Sequence, residues 1–214
     1  MAKLYFTHGP MGSQKTTQLL ATAHNYEAHG SNILVTKPSI DTKGDLRVVS
    51  RIGISREVDF LATPEMDVQA EVLRRRERIG RIGVLLIDEA QFLTPDQVDQ
   101  AYALATINGI AVMAYGLRTD FRTQSFPGSR RLLEIAHELR ESRTMCEDGS
   151  GCEHRAEFNA RRVGKVFVQE GKPVEIDNQA DITYASLCGA HYIENVGPVA
   201  VPAEFVPELG QPAA

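Results

Sequence analysis

Apolar residues along this chain fall into short unbroken runs separated by longer amphipathic stretches, a pattern that predicts strands alternating with helices. Leu4 to Thr7 is the first run and it ends at His8-Gly9-Pro10. Lys15 to His29 then carries helical spacing and closes at Gly30, a residue suited to a C-terminal cap. Asn32 to Thr36 predicts a second buried strand. Pro38 to Gly53 is rich in charge and glycine, and a connection of that length predicts a functional loop. Asp67 to Arg78 reads as a polar helix whose Arg74-Arg75-Arg76 forms a solvated face. Gly83 to Ile87 is apolar throughout, as a strand covered on both faces must be, with Asp88 and Glu89 just past its end. Thr94-Pro95-Asp96 supplies a cap and a first-turn proline for the next helix. Gly109 to Tyr115 gives another buried strand, and Ser129 to Leu139 a further helix.

Strands alternating with helices imply right-handed crossovers and a parallel sheet that binds its ligands at the carboxyl ends of the strands. From Arg143 onward the texture changes. Short β-like stretches, Gly164 to Gln169 and Pro173 to Ile176, lie between clusters of cysteine. The expected organisation is therefore an α/β domain over residues 1–142, a small lobe over 143–193, and a mobile tail over 194–214 marked by Pro198, Pro202, Pro207 and Pro212.

Composition narrows the function classes. A chain of 214 residues, 43% of them hydrophobic, can bury the core of one full domain with a small lobe attached. A net charge of −5 is the reverse of the usual nucleic-acid footprint, so no nucleic-acid partner is expected. No basic segment followed by an apolar stretch of signal length follows Met1, and no run approaches the roughly 20 apolar residues of a membrane helix. The expectation is a cytoplasmic protein with no membrane partner. All three cysteines lie after residue 145, which fits metal ligation in a reducing compartment better than a disulfide framework.

Gly9-Pro10-Met11-Gly12-Ser13-Gln14-Lys15-Thr16 lies between a strand and a helix, where a Walker A phosphate loop (P-loop) belongs. In such a loop the backbone N–H groups and the helix N-terminus hold the phosphates of ATP. Lys15 adds a point charge, and the Thr16 hydroxyl serves Mg2+. Gln14 stands where the pattern asks for glycine, the residue that tolerates positive φ and close approach to phosphate. An ordinary glycine-containing turn is the plain alternative.

Val84-Leu85-Leu86-Ile87-Asp88-Glu89-Ala90-Gln91-Phe92 supplies the complementary half, because an acid at the tip of an apolar strand is where a P-loop enzyme holds its metal. Asp88 suits that role. Glu89, one residue further out, is positioned to accept a proton from an attacking hydroxyl. Both acids could equally solvate a strand end or cap a helix. Downstream, Cys146-x5-Cys152 and Cys188-x2-His191 gather every cysteine and one histidine into two clusters 35 residues apart, a layout able to close a Cys3His zinc site. Glu147-Asp148-Gly149-Ser150-Gly151 reads as a wide flexible knuckle, and His154 competes as the fourth ligand. With every position filled, such a zinc would be structural.

Gly9-Pro10-Met11 leading into Ser13, Lys15 and Thr16, then Asp88-Glu89-Ala90-Gln91-Phe92, then Tyr115 to Arg122 with Phe126-Pro127-Gly128-Ser129, resemble type II thymidine kinases of the bacterial branch. Ser50-Arg51-Ile52-Gly53 resembles a segment of the same branch, and the resemblance runs in order over residues 3–192. It implies a P-loop, RecA-like parallel sheet flanked by helices with a small zinc-binding lobe. It also implies transfer of the ATP γ-phosphate to the 5′-hydroxyl of thymidine; the choice between thymidine and deoxyuridine is left open by the sequence. Glu89 would be the base, Asp88 would serve magnesium and phosphate, and Met11, Phe92, Phe121 and Phe126 would line the base pocket. Tyr184 would sit on the loop covering the nucleoside. A homotetramer and feedback inhibition by thymidine triphosphate are implied as well.

Two departures stand beside Gln14. Asp41-Thr42-Lys43 replaces the family's aspartate-x-arginine, with Asp45-Leu46-Arg47 as a second register; Asp41 is carried forward as the magnesium-region residue. Asp177-Asn178-Gln179 replaces a glycine pair, which bears on base specificity. Gln14 also leaves open a nucleotide-binding protein with weak or lost transfer. A zinc-ribbon ATPase stimulated by nucleic acid is opposed by the acidic charge balance.

Overall fold

The structure is a computed structural model and describes residues 1–169 and 182–197. In chain order the first elements are β1 (Leu4–His8), α1 (Lys15–Ala28), β2 (Asn32–Pro38), β3 (Arg47–Val49), β4 (Ser55–Glu57), β5 (Phe60–Ala62), α2 (Val68–Ile79) and β6 (Ile82–Ile87). A 3-10 turn over Ala90–Phe92 leads to α3 (Pro95–Thr106), β7 (Ala111–Gly116), α4 (Pro127–Ile135) and β8 (Glu138–Glu141). Then follow β9 (Phe158–Val163), β10 (Val166–Val168), β11 (Ile182–Leu187) and α5 (Gly189–Asn195).

Six strands form one sheet in the order β5-β2-β6-β7-β1-β8, and every pairing in it is parallel. Successive residues of a strand point to opposite faces, and β6 shows the consequence. Val84 and Leu86 pack with Leu19, Leu20 and Ala23 of α1, whereas Leu85 and Ile87 pack with Val98, Ala101 and Leu104 of α3 and Val72 of α2. Both faces are thus covered, which is why the interior strands read as continuous apolar runs. Each leucine so buried contributes about 1.5–3 kcal/mol. The cap expected at Thr94 forms reciprocally: its hydroxyl accepts from the Gln97 N–H, and the Gln97 side chain accepts from the Thr94 N–H, both at 3.2 Å.

The helix expected over Ser129 to Leu139 begins at Pro127 and stops at Ile135, and Glu138–Glu141 is an edge strand on β1. His137 explains the switch, since its ring Nδ1 accepts the Leu4 N–H at 3.0 Å while its backbone N–H donates to the Leu4 carbonyl at 2.9 Å. The long loop after Pro38 contains the small β3–β4 hairpin.

After β8 the chain builds an antiparallel sheet, β10-β9-β11, with α5 packed on it. Its own core gathers Cys146, Ala160, Ala185, Leu187, Cys188 and Tyr192. The Tyr192 hydroxyl donates to the Phe121 carbonyl at 2.6 Å, tying this sheet to the loop after β7. The stretch expected over Pro173 to Ile176, the Asp177-Asn178-Gln179 segment and the four prolines from Pro198 onward lie outside the described residues.

Candidate active site

The loop between β1 and α1 closes tightly on itself. A Cβ on Gly9 would stand 2.1 Å from the Ser142 carbonyl oxygen and 2.7 Å from Ser13 Oγ, so only glycine fits there. Ser13, buried, donates from its hydroxyl to the Pro10 carbonyl at 2.8 Å, and the Ser142 hydroxyl donates to the Ser13 carbonyl. Lys15 Nζ lies in the hollow of the loop on the carbonyls of Gly9 (3.0 Å) and Pro10 (2.8 Å) and on Ser13 Oγ (3.2 Å). Burial pulls this ammonium down to about 8. An anion in the same hollow would favour the charged form.

Gln14 caps the N-terminus of α1 with φ 63° and ψ 21°, the left-handed conformation for which glycine was expected. Its side chain is exposed at the rim of the cleft, and its carbonyl accepts the Gln18 N–H at 3.0 Å. The backbone therefore has the required shape with a side chain directed to solvent.

Asp88 emerges from β6 beside this loop. Its N–H donates to the Thr36 carbonyl at 3.0 Å, and the Thr16 hydroxyl donates to its carboxylate at 3.2 Å. Burial pushes the Asp88 carboxyl up to about 7, and the neighbouring charge of Glu89 pushes in the same direction. A cation beside Asp88 would favour its charged form. A hydroxyl and carboxylate oxygens meeting there are a donor set that fits Mg2+.

Glu89 follows with φ 48° and ψ 39°, a left-handed residue that turns the chain into the 3-10 segment and presents its side chain to the cleft. Asp41 reaches the same cleft from the loop after β2. Its carboxylate pairs at 3.0 Å with Lys37, a fully buried lysine that also donates to the Lys43 carbonyl. Arg47, of the other register, instead pairs with Ser55 and Glu57 on the exposed hairpin.

The cleft has a volume of about 490 Å³, within the usual range for small-molecule sites. Its lining joins Gly12, Lys15, Thr16, Asp41 and Glu89 to Met11, Phe92, Phe121, Phe126 and Tyr184. Phe92 and Phe126 meet edge to face at 5.6 Å, and Phe121 and Tyr184 lie 6.4 Å apart. Tyr184 was expected on a covering loop but belongs to β11, paired opposite Arg161 of β9. Gly9 and Pro10 line a smaller hollow behind the loop.

Met11 is held from the lobe side. Its N–H donates to Asn159 Oδ1 at 2.7 Å, and its carbonyl accepts the Ser186 hydroxyl at 2.6 Å.

The thiols of Cys146, Cys152 and Cys188 and a ring nitrogen of His191 all lie within 4.8 Å of one another. A tetrahedron with metal–sulfur bonds of about 2.3 Å has edges of about 3.8 Å, so this group fits zinc closely. The three cysteines are free. His191 Nδ1 stands 3.4 Å from both Cys146 Sγ and Cys188 Sγ. His154 approaches Cys152 alone, at 3.5 Å, and stands outside the group. Burial pushes the Cys146 thiol up to about 11, while the His191 backbone N–H lowers that of Cys188.

Several residues at the site carried no role in the sequence reading. Gln91 donates to Glu89, Lys37 holds Asp41, and Asn159 and Ser186 fix Met11. Arg51 lines the cleft, its guanidinium 3.3 Å from where a Gly12 Cβ would stand. Asp148 Oδ2 lies 3.3 Å from His191 Nε2, on the ring edge away from the thiols. Gln91, Arg51 and Ser186 lie in segments whose resemblance drew attention to them.

The family model described as thymidine kinase matches residues 2–192 of this chain. The chain is 40% identical over 198 residues to the thymidine kinase of Enterobacteria phage T4, covering 91% of this chain and 97% of that one. Against the thymidine kinase of Ruegeria pomeroyi the identity is 40% over 199 residues, with 92% and 96% covered. Against that of Rhizobium meliloti it is 40% over 194 residues, with 90% and 96% covered. Matched along nearly its whole length by both the family model and these relatives, the chain belongs to the thymidine kinase family.

Proposed function

We propose that this chain transfers the γ-phosphate of ATP to the 5′-hydroxyl of thymidine, with deoxyuridine as a second acceptor. The observation that carries the proposal is one cleft lined both by phosphate-loop residues with Asp41 and Glu89 and by the aromatic side chains of Phe92, Phe121, Phe126 and Tyr184. Membership of the family supports it. In this reading residues 1–142 are the nucleotide domain and 143–193 the zinc lobe.

The N–H groups of Gly12, Gln14, Lys15 and Thr16 cradle the phosphates, and Lys15 leaves the loop carbonyls to pair with phosphate oxygens. Thr16 and Asp88 hold Mg2+, assisted by Asp41; the ion supplies charge neutralisation on the phosphate oxygens. Glu89 accepts the 5′-hydroxyl proton as that oxygen attacks, and Met11, Phe92, Phe121, Phe126 and Tyr184 fix the base. Catalysis is then mainly positioning and charge stabilisation. Cys146, Cys152, Cys188 and His191 hold a structural zinc.

The exposed side chain of Gln14 counts against a pocket that has lost transfer. Among the described residues no helix is long and apolar enough to cross a membrane, which is compatible with work in the cytoplasm. A homotetramer and inhibition by thymidine triphosphate belong to the same reading, and sedimentation and inhibitor titration test them. The primary test is labelled-phosphate transfer from ATP to a nucleoside panel. Glu89→Gln should lower turnover by about 10²–10⁴-fold, the usual worth of a general base, with thymidine affinity retained. Transfer to no nucleoside would end the proposal, and unchanged turnover in Glu89→Gln would remove Glu89 as base.

A further inference from the structure

Gln91 is buried to 1% exposure directly under the catalytic cleft, and both ends of its side-chain amide are used. Oε1 accepts the Leu117 N–H at 3.0 Å, and Nε2 donates to Glu89 Oε2 at 2.5 Å. The two contacts fix each other. A backbone N–H can only donate, so the amide oxygen must face Leu117; the amide NH2 is then forced toward the carboxylate, which can only accept.

The surroundings close tightly on this strut. A Cβ on Gly116 would lie 2.6 Å from Gln91 Oε1. One on Gly128 would lie 2.6 to 2.9 Å from the carbonyl oxygens of Leu93, Ala90 and Gln91. The absence of both side chains lets the end of β7 and the start of α4 press on the turn that carries Gln91. Glu89 itself is left-handed, a strained conformation for a non-glycine residue that persists only where neighbours over-determine it.

We infer that Gln91 is a positioning residue for phosphoryl transfer: its amide, locked by the Leu117 N–H, holds one oxygen of Glu89 so that the other is presented to the substrate hydroxyl. The inference rests on the reading of Glu89 as the base. Its experiment is a double-mutant cycle with single-turnover transfer from ATP to thymidine as the readout, accompanied by thymidine binding and thermal melting for each variant.

Gln91→Met should lower the transfer rate at least tenfold with thymidine Kd within threefold of wild type. In a Glu89→Gln background the same change should cost less than twofold, because the group it positions is gone. Gln91→Glu keeps an acceptor for Leu117 but sets a like charge against Glu89, and it should lose at least as much rate as Gln91→Met. Equal losses in both backgrounds, or a Gln91→Glu enzyme with near wild-type rate, would make Gln91 a structural brace and overturn the inference. A wild-type rate in Gln91→Met would also overturn it. Failure of the base reading is separately visible, as full activity in Glu89→Gln alone. If Gln91→Met does not fold, Gln91→Glu alone decides between the two roles.

Discussion

Replacing Gln14 with glycine tests whether the irregular position of the phosphate loop bears on chemistry or only on stability. Gln14 holds φ 63° and ψ 21°. A left-handed residue with a Cβ costs roughly 1–2 kcal/mol, which glycine removes. Glycine also enlarges the unfolded ensemble, a loss of about 0.5–1 kcal/mol. The exposed side chain has no hydrogen bond to a helix N–H, and the Gln14 carbonyl bond to the Gln18 N–H survives the change. The balance is a gain of about 0.5–1 kcal/mol. For a chain of this size that is a rise in Tm of about 1–4 °C. Scanning calorimetry on matched, metal-loaded samples measures it, and steady-state kinetics on the same samples should give a kcat within about threefold of wild type. A fall in Tm would refute the strain argument. A rise in kcat by orders of magnitude would refute the solvent-facing role of the side chain and restore the reading of a crippled kinase.

Two further outcomes follow from contacts away from the reacting atoms. Asp148 faces His191 Nε2 at 3.3 Å, so Asp148→Asn should loosen the ring that presents Nδ1 to the thiols and weaken zinc affinity about 10–100-fold. Competition with a chromophoric chelator reads this, and unchanged affinity would remove Asp148 from the metal site. His8 is held below its usual value, chiefly by burial and further by Arg118, Lys15 and Arg155, with Glu141 opposing. The unfolded chain therefore binds the proton first as pH falls through about 6.5, and stability drops across the window between that value and the lower folded one. The stability of wild type relative to His8→Gln should decline from pH 7.5 to 5.5; a constant difference would contradict the sign.

What the sequence disclosed follows from where each signal is stored. β1, β2, β6 and β7 occupy the sheet interior, covered by helices on both faces, so their runs had to be apolar and were legible. The edge strands β5 and β8 each have one neighbour, and Glu138-Leu139-Arg140-Glu141 is mostly exposed, so nothing in its polarity marked it as a strand. The site divides in the same way. Phosphate binding and the acidic pair are local problems of one turn and one strand end, and they leave contiguous motifs. The residues that hold them act across the fold: Ser186 reaches Met11 over 175 positions, Asn159 reaches it over 148, and Gln91 reaches Leu117 over 26. A single polar side chain making one distant hydrogen bond leaves no periodicity. Asp148 was hidden differently, inside a glycine-rich insert whose composition suggested only slack.

The distant contacts also assign the lobe a task. Met11 is gripped at both its N–H and its carbonyl by β9 and β11, and Tyr192 holds the Phe121 carbonyl from α5. Glu147, next to Cys146, accepts the Ser186 N–H at 2.9 Å and donates its own N–H to the Ser186 carbonyl at 2.7 Å. The strand that carries Tyr184 therefore runs directly into the Cys188–His191 cluster, and Ser186 is fixed from the Cys146 side. Lys15, Thr16 and Asp88, by contrast, are set by β1, α1 and β6 with no bond to the cluster. Zinc removal should accordingly weaken thymidine binding at least tenfold while changing ATP affinity less than threefold, measured by calorimetric titration of each substrate before and after chelation. Equal losses for both substrates would mean that the metal supports the whole fold and not the nucleoside end of the cleft. Loss of ATP binding alone would reverse the argument.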